Sequence, residues 1–169
     1  MLKDKLTIIL FYITHVDLID KLKEEHRVIR EKLIHLGRDI ELAPSKTNES
    51  LPGIKETLTF FTEYLIPHFK NEEDIIFTYL TDHKKREDYN QNNQRLQILY
   101  KVKKEHESII KEIRDFEEEV AKMEEKKLFC DGVAISGMKL IHDLADHIRF
   151  EEEQFFPYIK SGSGNRECK

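Results

Sequence analysis

Residues 68–80 read HFKNEEDIIFTYL and residues 147–159 read HIRFEEEQFFPYI, an offset of 79. His68/His147, Glu72/Glu151, Glu73/Glu152, Phe77/Phe156 and Tyr79/Tyr158 are identical; Lys70/Arg149 and Asp74/Glu153 keep their charge. Further upstream, Glu25-His26 and Ile29 return at an offset of 80 as Glu105-His106 and Ile109. The first segment thus pairs with the third, and the second with the fourth. The pattern describes two copies of one helical hairpin related by a pseudo-two-fold axis.

Apolar stripes with helical steps of three and four surround these blocks. The first runs through Ile19, Leu22, Ile29, Leu33, Leu36 and Ile40. Ahead of it, Thr14-x-x-Asp17 resembles a capping box and predicts that the helix begins there. Residues 43–50 read as a loop. A second helix is expected from about Pro52 to Leu80, kinked at Pro67, which has no N–H to donate. The polar stretch 83–93 reads as a second loop. The third stripe is the clearest: Leu99, Val102, Ile109, Ile110, Ile113, Phe116, Val120 and Met123. After Cys130-Asp131-Gly132 a fourth helix is expected to about Lys160. Four helices of roughly 25–35 residues, each ~40–50 Å long, predict an all-α, up-down-up-down four-helix bundle over residues 14–160. Residues 161–169, SGSGNRECK, have linker composition and read as a flexible tail.

Composition agrees. Six Gly and four Pro in 169 residues make about 6 %, half of the ordinary share, which disfavours a turn-rich β fold. Charged residues reach 36 % and apolar ones 39 %, the mixture of amphipathic helices with one buried stripe each. The net charge of −5, with both signs interspersed, offers no basic stripe for nucleic acid. Cys130 and Cys168 form no C-x-x-C, so neither a zinc knot nor a disulfide framework is supported, and a reduced, cytoplasmic setting is expected. The apolar run LTIILFYI (residues 6–13) is far shorter than the ~20 residues of a membrane span. Lys3 and Lys5 precede it, but no small-residue cleavage site follows. Residues 1–13 read as an N-terminal arm or extension that packs on the domain or on a second copy, a route to a homodimer.

Eight histidines are the unusual count. His26 lies between Leu22 and Ile29, and His106 between Val102 and Ile109, so both are expected to point inward. His68-x-x-x-Glu72 and His147-x-x-x-Glu151 each put two side chains on one helix face. A single core histidine is ordinarily satisfied by its neighbours, and a single His-x-x-x-Glu is often solvated. The conjunction is different: one inward histidine on each of four helices, with two inward glutamates. Burying two carboxylates without a compensating cation costs several kcal/mol each. Metal therefore suits the six residues His26, His68, Glu72, His106, His147 and Glu151. Imidazole and carboxylate donors suit iron first, manganese next, or zinc. Six donors exceed a four-ligand structural zinc site, and two ions bridged by the two carboxylates is the natural division. The ferritin-like Glu-x-x-His pair and the protease motif H-E-x-x-H are both absent. Tyr64 and Asp143, one turn before a site histidine, are candidates for hydrogen bonds near the centre. Glu73 and Glu152, about 140° off the ligand face, are expected in solvent.

These residues, His26, His68-x-x-x-Glu72, His106 and His147-x-x-x-Glu151 with their HFKNEE and HIRFEEEQFFP blocks, resemble the hemerythrin-like, or HHE cation-binding, domain. The resemblance spans about residues 17–160. It implies a four-helix bundle holding two non-haem irons with an oxo or hydroxo bridge, reactive towards O2. Glu72 and Glu151 would bridge; the four histidines would be terminal ligands. The sequence departs from the oxygen carriers of that family, which carry a further histidine on the third helix where this chain has Ile110 and Val102. They also use His-x-x-x-x-Asp on the fourth helix, where position 152 is Glu. His15, His35, His83 and His142 are expected at the surface or its boundary and do not replace the missing histidine. The implied function is binding of O2 or NO for oxygen or iron sensing, storage or delivery. The alternative is a redox or iron-donating role in repair of iron centres or defence against peroxide or nitrosative stress. The first reading is of a binding protein and not of a dedicated enzyme.

Overall fold

No proline interrupts the first 42 residues, and the first helix, α1, runs unbroken over Leu2–Leu42. The computed structural model describes residues 2–83, 89–157 and 159, and the side chains of 18–75, 97–157 and 159. The start expected at Thr14 is therefore corrected: a capping box ends a helix only where the chain before it cannot continue one, and here it can. The packing of residues 1–13 and the tail 161–169 lie outside the described residues.

The loop expected over 43–50 contracts to a short turn, because Thr47 Oγ1 donates to Ala43 O at 2.9 Å and Ser50 N to Lys46 O at 3.0 Å. The second rod begins there, earlier than Pro52, and has three parts: α2 over Thr47–Phe60, a π turn over Phe61–Leu65, and α3 over Ile66–His83. The kink expected at Pro67 takes the form of that π turn. Pro67 cannot donate to the carbonyl four residues back, and its ring crowds that carbonyl. The helix widens instead, with Ile66 N–H reaching back to Phe61 O. The fourth rod repeats the device. Its α5 covers Asp131–Phe150, and a π turn over Glu151–Phe155 closes through Phe156 N–H to Glu151 O, one residue before Pro157. Between the two, α4 spans Tyr89–Lys126. The four rods alternate in direction and form the expected all-α four-helix bundle, α1 packing on α2 and α5, and α4 on α5 and α2.

The predicted stripes are the core. Ile29, Leu36, Phe61, Phe116, Leu140 and Leu144 are fully buried in one large cluster that fills the bundle from its middle to the end carrying the 43–46 turn. Burial of each such side chain stabilises by roughly 2 kcal/mol. Gly137 lets α5 approach closely here: a Cβ at this position would meet Ile40 Cδ1 and would stand 2.8 Å from Phe116 Cε2. A second, smaller cluster of Ile19, Leu22, Val102, Phe155, Phe156 and Ile159 lies towards the other end. The polar residues picked out by the repeat occupy the layer between these two cores. Among the described residues no helix is long and apolar enough to cross a membrane.

Candidate metal centre

Each rod contributes one histidine to the middle layer, and α3 and the π turn of the fourth rod add a glutamate each. All six predicted site residues are buried: His26, Glu72 and Glu151 completely, His106, His68 and His147 to within 3 %. The imidazole Nε2 atoms converge on the carboxylates. Glu72 Oε1 stands 3.2 Å from both His26 Nε2 and His68 Nε2, and Glu72 Oε2 is 3.4 Å from His106 Nε2. Glu151 Oε2 lies 3.3 Å from His26 Nε2, and Glu151 Oε1 is 3.4 Å from His147 Nε2. Phe69 stacks on His106 with ring centroids 4.1 Å apart, and Phe156 on His26 at 5.5 Å, so aromatic faces cover the layer from the two apolar cores.

The outer nitrogen of each of these four histidines meets a second carboxylate, from a helix other than its own. His68 Nδ1 bonds Glu25 Oε2 at 2.7 Å, and its repeat-mate His147 Nδ1 bonds Glu105 Oε2 at 2.9 Å. His26 Nδ1 bonds Glu152 Oε1 at 3.1 Å, and its mate His106 Nδ1 bonds Glu73 Oε1 at 3.0 Å. The four contacts obey the pseudo-two-fold. Glu25 and Glu105 orient a histidine within their own hairpin; Glu73 and Glu152 reach across to the other. Glu73 and Glu152 are therefore not spectators in solvent, which corrects the expectation. The 140° that takes them off the ligand face of their own helix aims them at the back of a histidine on the next. The repeat held the signal, since Glu25-His26/Glu105-His106 and Glu72-Glu73/Glu151-Glu152 recur as pairs.

Tyr64 and Asp143 do not reach the centre. Tyr64 stacks on Phe60 at 4.8 Å, and Asp143 accepts from Lys139 Nζ at 2.8 Å and contacts His142 Nδ1 at 3.1 Å. His35 is exposed, and His142 has 72 % of its side chain in solvent. The side chains of His15 and His83 lie outside those described.

A carboxylate only accepts, so each Nδ1 donates to its partner and each Nε2 of a neutral ring presents a lone pair inward. His106 Nε2 and His147 Nε2 are 3.1 Å apart; two lone pairs at that distance require a proton or a cation between them. Three further acceptors, Glu72 Oε2 and both oxygens of Glu151, are buried with no hydrogen-bond partner. With protons alone to balance the charge, burial works to lower the pKa of His26 and of His106. In each case the carboxylates of Glu151 and Glu72 outweigh it and hold the pKa up to about 10. Burial likewise works to raise Glu72, but the His106, His26 and His68 imidazoles around it hold it well below the usual carboxylate range. A layer of inward lone pairs and orphaned acceptors fits metal ions. The donors fall into two overlapping groups, each with ligand atoms within 4.8 Å of one another: Glu72, His106, His147 and Glu151; and His26, His68 and Glu72.

Residues 17–159 match the family model described as the hemerythrin HHE cation-binding domain. The chain belongs to this family. No curated protein and no solved structure matches it significantly. As a hemerythrin-family bundle the chain keeps one inward histidine per rod. At the positions where the oxygen carriers differ, Val102 is buried in the smaller core and Ile110 packs against the larger one.

Proposed function

We propose that this hemerythrin-family domain holds two non-haem iron ions and binds, or reacts with, O2 or NO. The observation that carries the proposal is the pair of overlapping donor groups that share Glu72. His26 and His68 would hold one ion, His106 and His147 the other, with Glu72 and Glu151 spanning the two. Two imidazoles and two carboxylate oxygens per ion leave positions open, and such mixed N/O sites suit iron, with manganese or zinc as competitors. Iron in such a centre supplies a reversible Fe(II)/Fe(III) couple and a vacant position for a diatomic ligand. The protein's part is to orient and exclude. Glu25, Glu73, Glu105 and Glu152 fix ring orientation and tautomer. Phe69 and Phe156 keep water from the two faces of the layer.

Elemental analysis of protein purified without added metal tests this reading, with about two irons per chain expected from the ligand count. Glu72→Ala and Glu151→Ala should each remove most of the metal, while His35→Ala and His83→Ala keep it. Equal loss at all four positions overturns the assignment. Mixing the reduced protein with oxygen then separates the roles. A reversible adduct marks storage or delivery. Prompt oxidation, the outcome expected without the carriers' additional histidine, marks redox chemistry.

A further inference from the structure

A cavity of about 420 Å³ opens on the seam between α4 and α5, and His147 and Glu105 form part of its wall. It brings the surface to the back of one histidine of the centre. Five carboxylates line it, Glu105, Glu112, Asp143, Asp146 and Glu153, against two cations, Lys101 and Arg149. Arg149 is held by Asp146 at 2.9 Å, and Lys101 lies 3.6 Å from Glu105 and over the Phe150 ring.

Glu112 is the unusual member. It is only 8 % exposed. Its Oε1 accepts from Lys139 Nζ at 2.5 Å and from Ser108 Oγ at 3.2 Å. Its Oε2 is buried with no hydrogen-bond partner. Lys139 Nζ also bonds Asp143 Oδ2 at 2.8 Å, so two carboxylates from different helices converge on one point. A mostly exposed lysine, with 56 % of its side chain in solvent, supplies the single charge there. A buried carboxylate oxygen left unpartnered costs free energy, and a dication at this point would use it.

The repeat provides an internal control. On the pseudo-equivalent seam of α1 with the second rod, Lys21, Glu25, Ile29, His68 and Lys70 stand where the cavity has Lys101, Glu105, Ile109, His147 and Arg149. These shared positions belong to the bundle. Glu112, Asp143, Asp146 and Ser108 are instead matched by Lys32, Tyr64, Pro67 and Val28. There the seam is covered, with Tyr64 stacked on Phe60 and Lys32 Nζ over the same ring. At these three matched positions, 112, 143 and 146, the acids occur on one half alone.

We infer that the α4/α5 cavity is the port through which hydrated divalent cations reach the centre, Glu112 and Asp143 forming its capture site. The inference rests on the two-ion reading of the centre. All-oxygen donors suit a hard, hydrated ion such as Mn²⁺ or Fe²⁺. The ion displaces the Lys139 ammonium, bridges the two carboxylates and passes inward by Glu105 and His147. Excess negative charge in a concave wall concentrates cations and raises their rate of capture.

Stopped-flow mixing of metal-free protein with Co²⁺, followed by its visible absorption and by final metal content, tests the port. In the double variant Glu112→Gln/Asp143→Asn uptake should slow by about tenfold, the scale of electrostatic steering, with final content unchanged. Asp146→Asn, at a half-exposed position that folding tolerates, should slow uptake less and weaken its salt dependence. Glu56→Gln, the same charge change on the opposite seam, should leave the rate as in the parent chain. Uptake within twofold of the parent in both cavity variants overturns the port, as does equal slowing by Glu56→Gln. Variants filling as fast as a parent that itself fills leave the centre standing and overturn the port alone. A parent that takes up no ion overturns both.

Discussion

Glu25, Glu73, Glu105 and Glu152 never face the interior of the centre, yet each fixes one imidazole by its Nδ1 hydrogen bond. Partners of this kind are worth about 10–100-fold in metal affinity. Glu25→Gln and Glu105→Gln should therefore weaken metal binding by roughly that factor, read by competition with a chelator, while helicity is retained. The neighbouring Glu24→Gln, whose carboxylate is engaged by Arg27 on the surface, should bind metal as the parent does. His26 and His106 are legible in the sequence because each sits in an apolar stripe on its own helix, and the other four inward donors because His-x-x-x-Glu recurs at the offset of 79. Their outer partners were not, since a helical wheel gives an angle on one helix and is silent about which neighbour stands at that angle. That silence places Glu73 and Glu152 in solvent on a sequence reading. Tyr64 and Asp143 were candidates only because i−4 spacing put them on the right face, and in the structure each is engaged elsewhere, by Phe60 and by Lys139.

Helix existence followed from periodicity; helix boundaries and irregularities did not. Apolar spacing fixes which residues share a face, but the start of α1 depends on whether anything stops the chain from coiling earlier. Pro67 signalled a disturbance in the second rod without saying that a wider turn would absorb it. Pro157 gave the same signal in the fourth rod, where a kink was not expected at all. One boundary carries strain that substitution can relieve. Lys127, just after α4, has φ 50°, the left-handed conformation that glycine reaches without the ~1–2 kcal/mol penalty of an L side chain. Part of that gain is offset by glycine's larger unfolded-state entropy. Lys127→Gly should raise stability by about 0.5–1 kcal/mol on these figures, seen as a higher Tm in thermal unfolding, with metal content unchanged. A lower Tm would show that the left-handed turn is held by more than its backbone.

The duplicated hairpin was the most legible feature of the whole molecule, because two offsets, 79 and 80, already paired the rods. What the repeat alone did not show is that the halves differ in charge on their outer seams, with a cavity on the α4/α5 side. That difference lies in single residues, Glu112 against Lys32 and Asp146 against Pro67, whose meaning appears only once the seams are side by side. The arrangement of two dry cores with a charged layer between them should also invert a common pattern of local opening. In an ordinary bundle, backbone amides exchange fastest at frayed ends and slowest at mid-helix. Here the middle holds four imidazoles and two carboxylates that oil-like packing cannot stabilise. Ions held by the proposed donors would add stability that grows with free metal concentration, and would add it at that layer. Hydrogen exchange should accordingly show amides around His26, His106 and His147 opening faster in the stripped protein than those around Leu36 or Phe116. Loading with metal should slow them until the whole column opens as one unit. Equal protection of the middle layer with and without metal would mean that the protein folds around its charges unaided. The ion would then be a guest of the bundle and no longer the joint between its two cores.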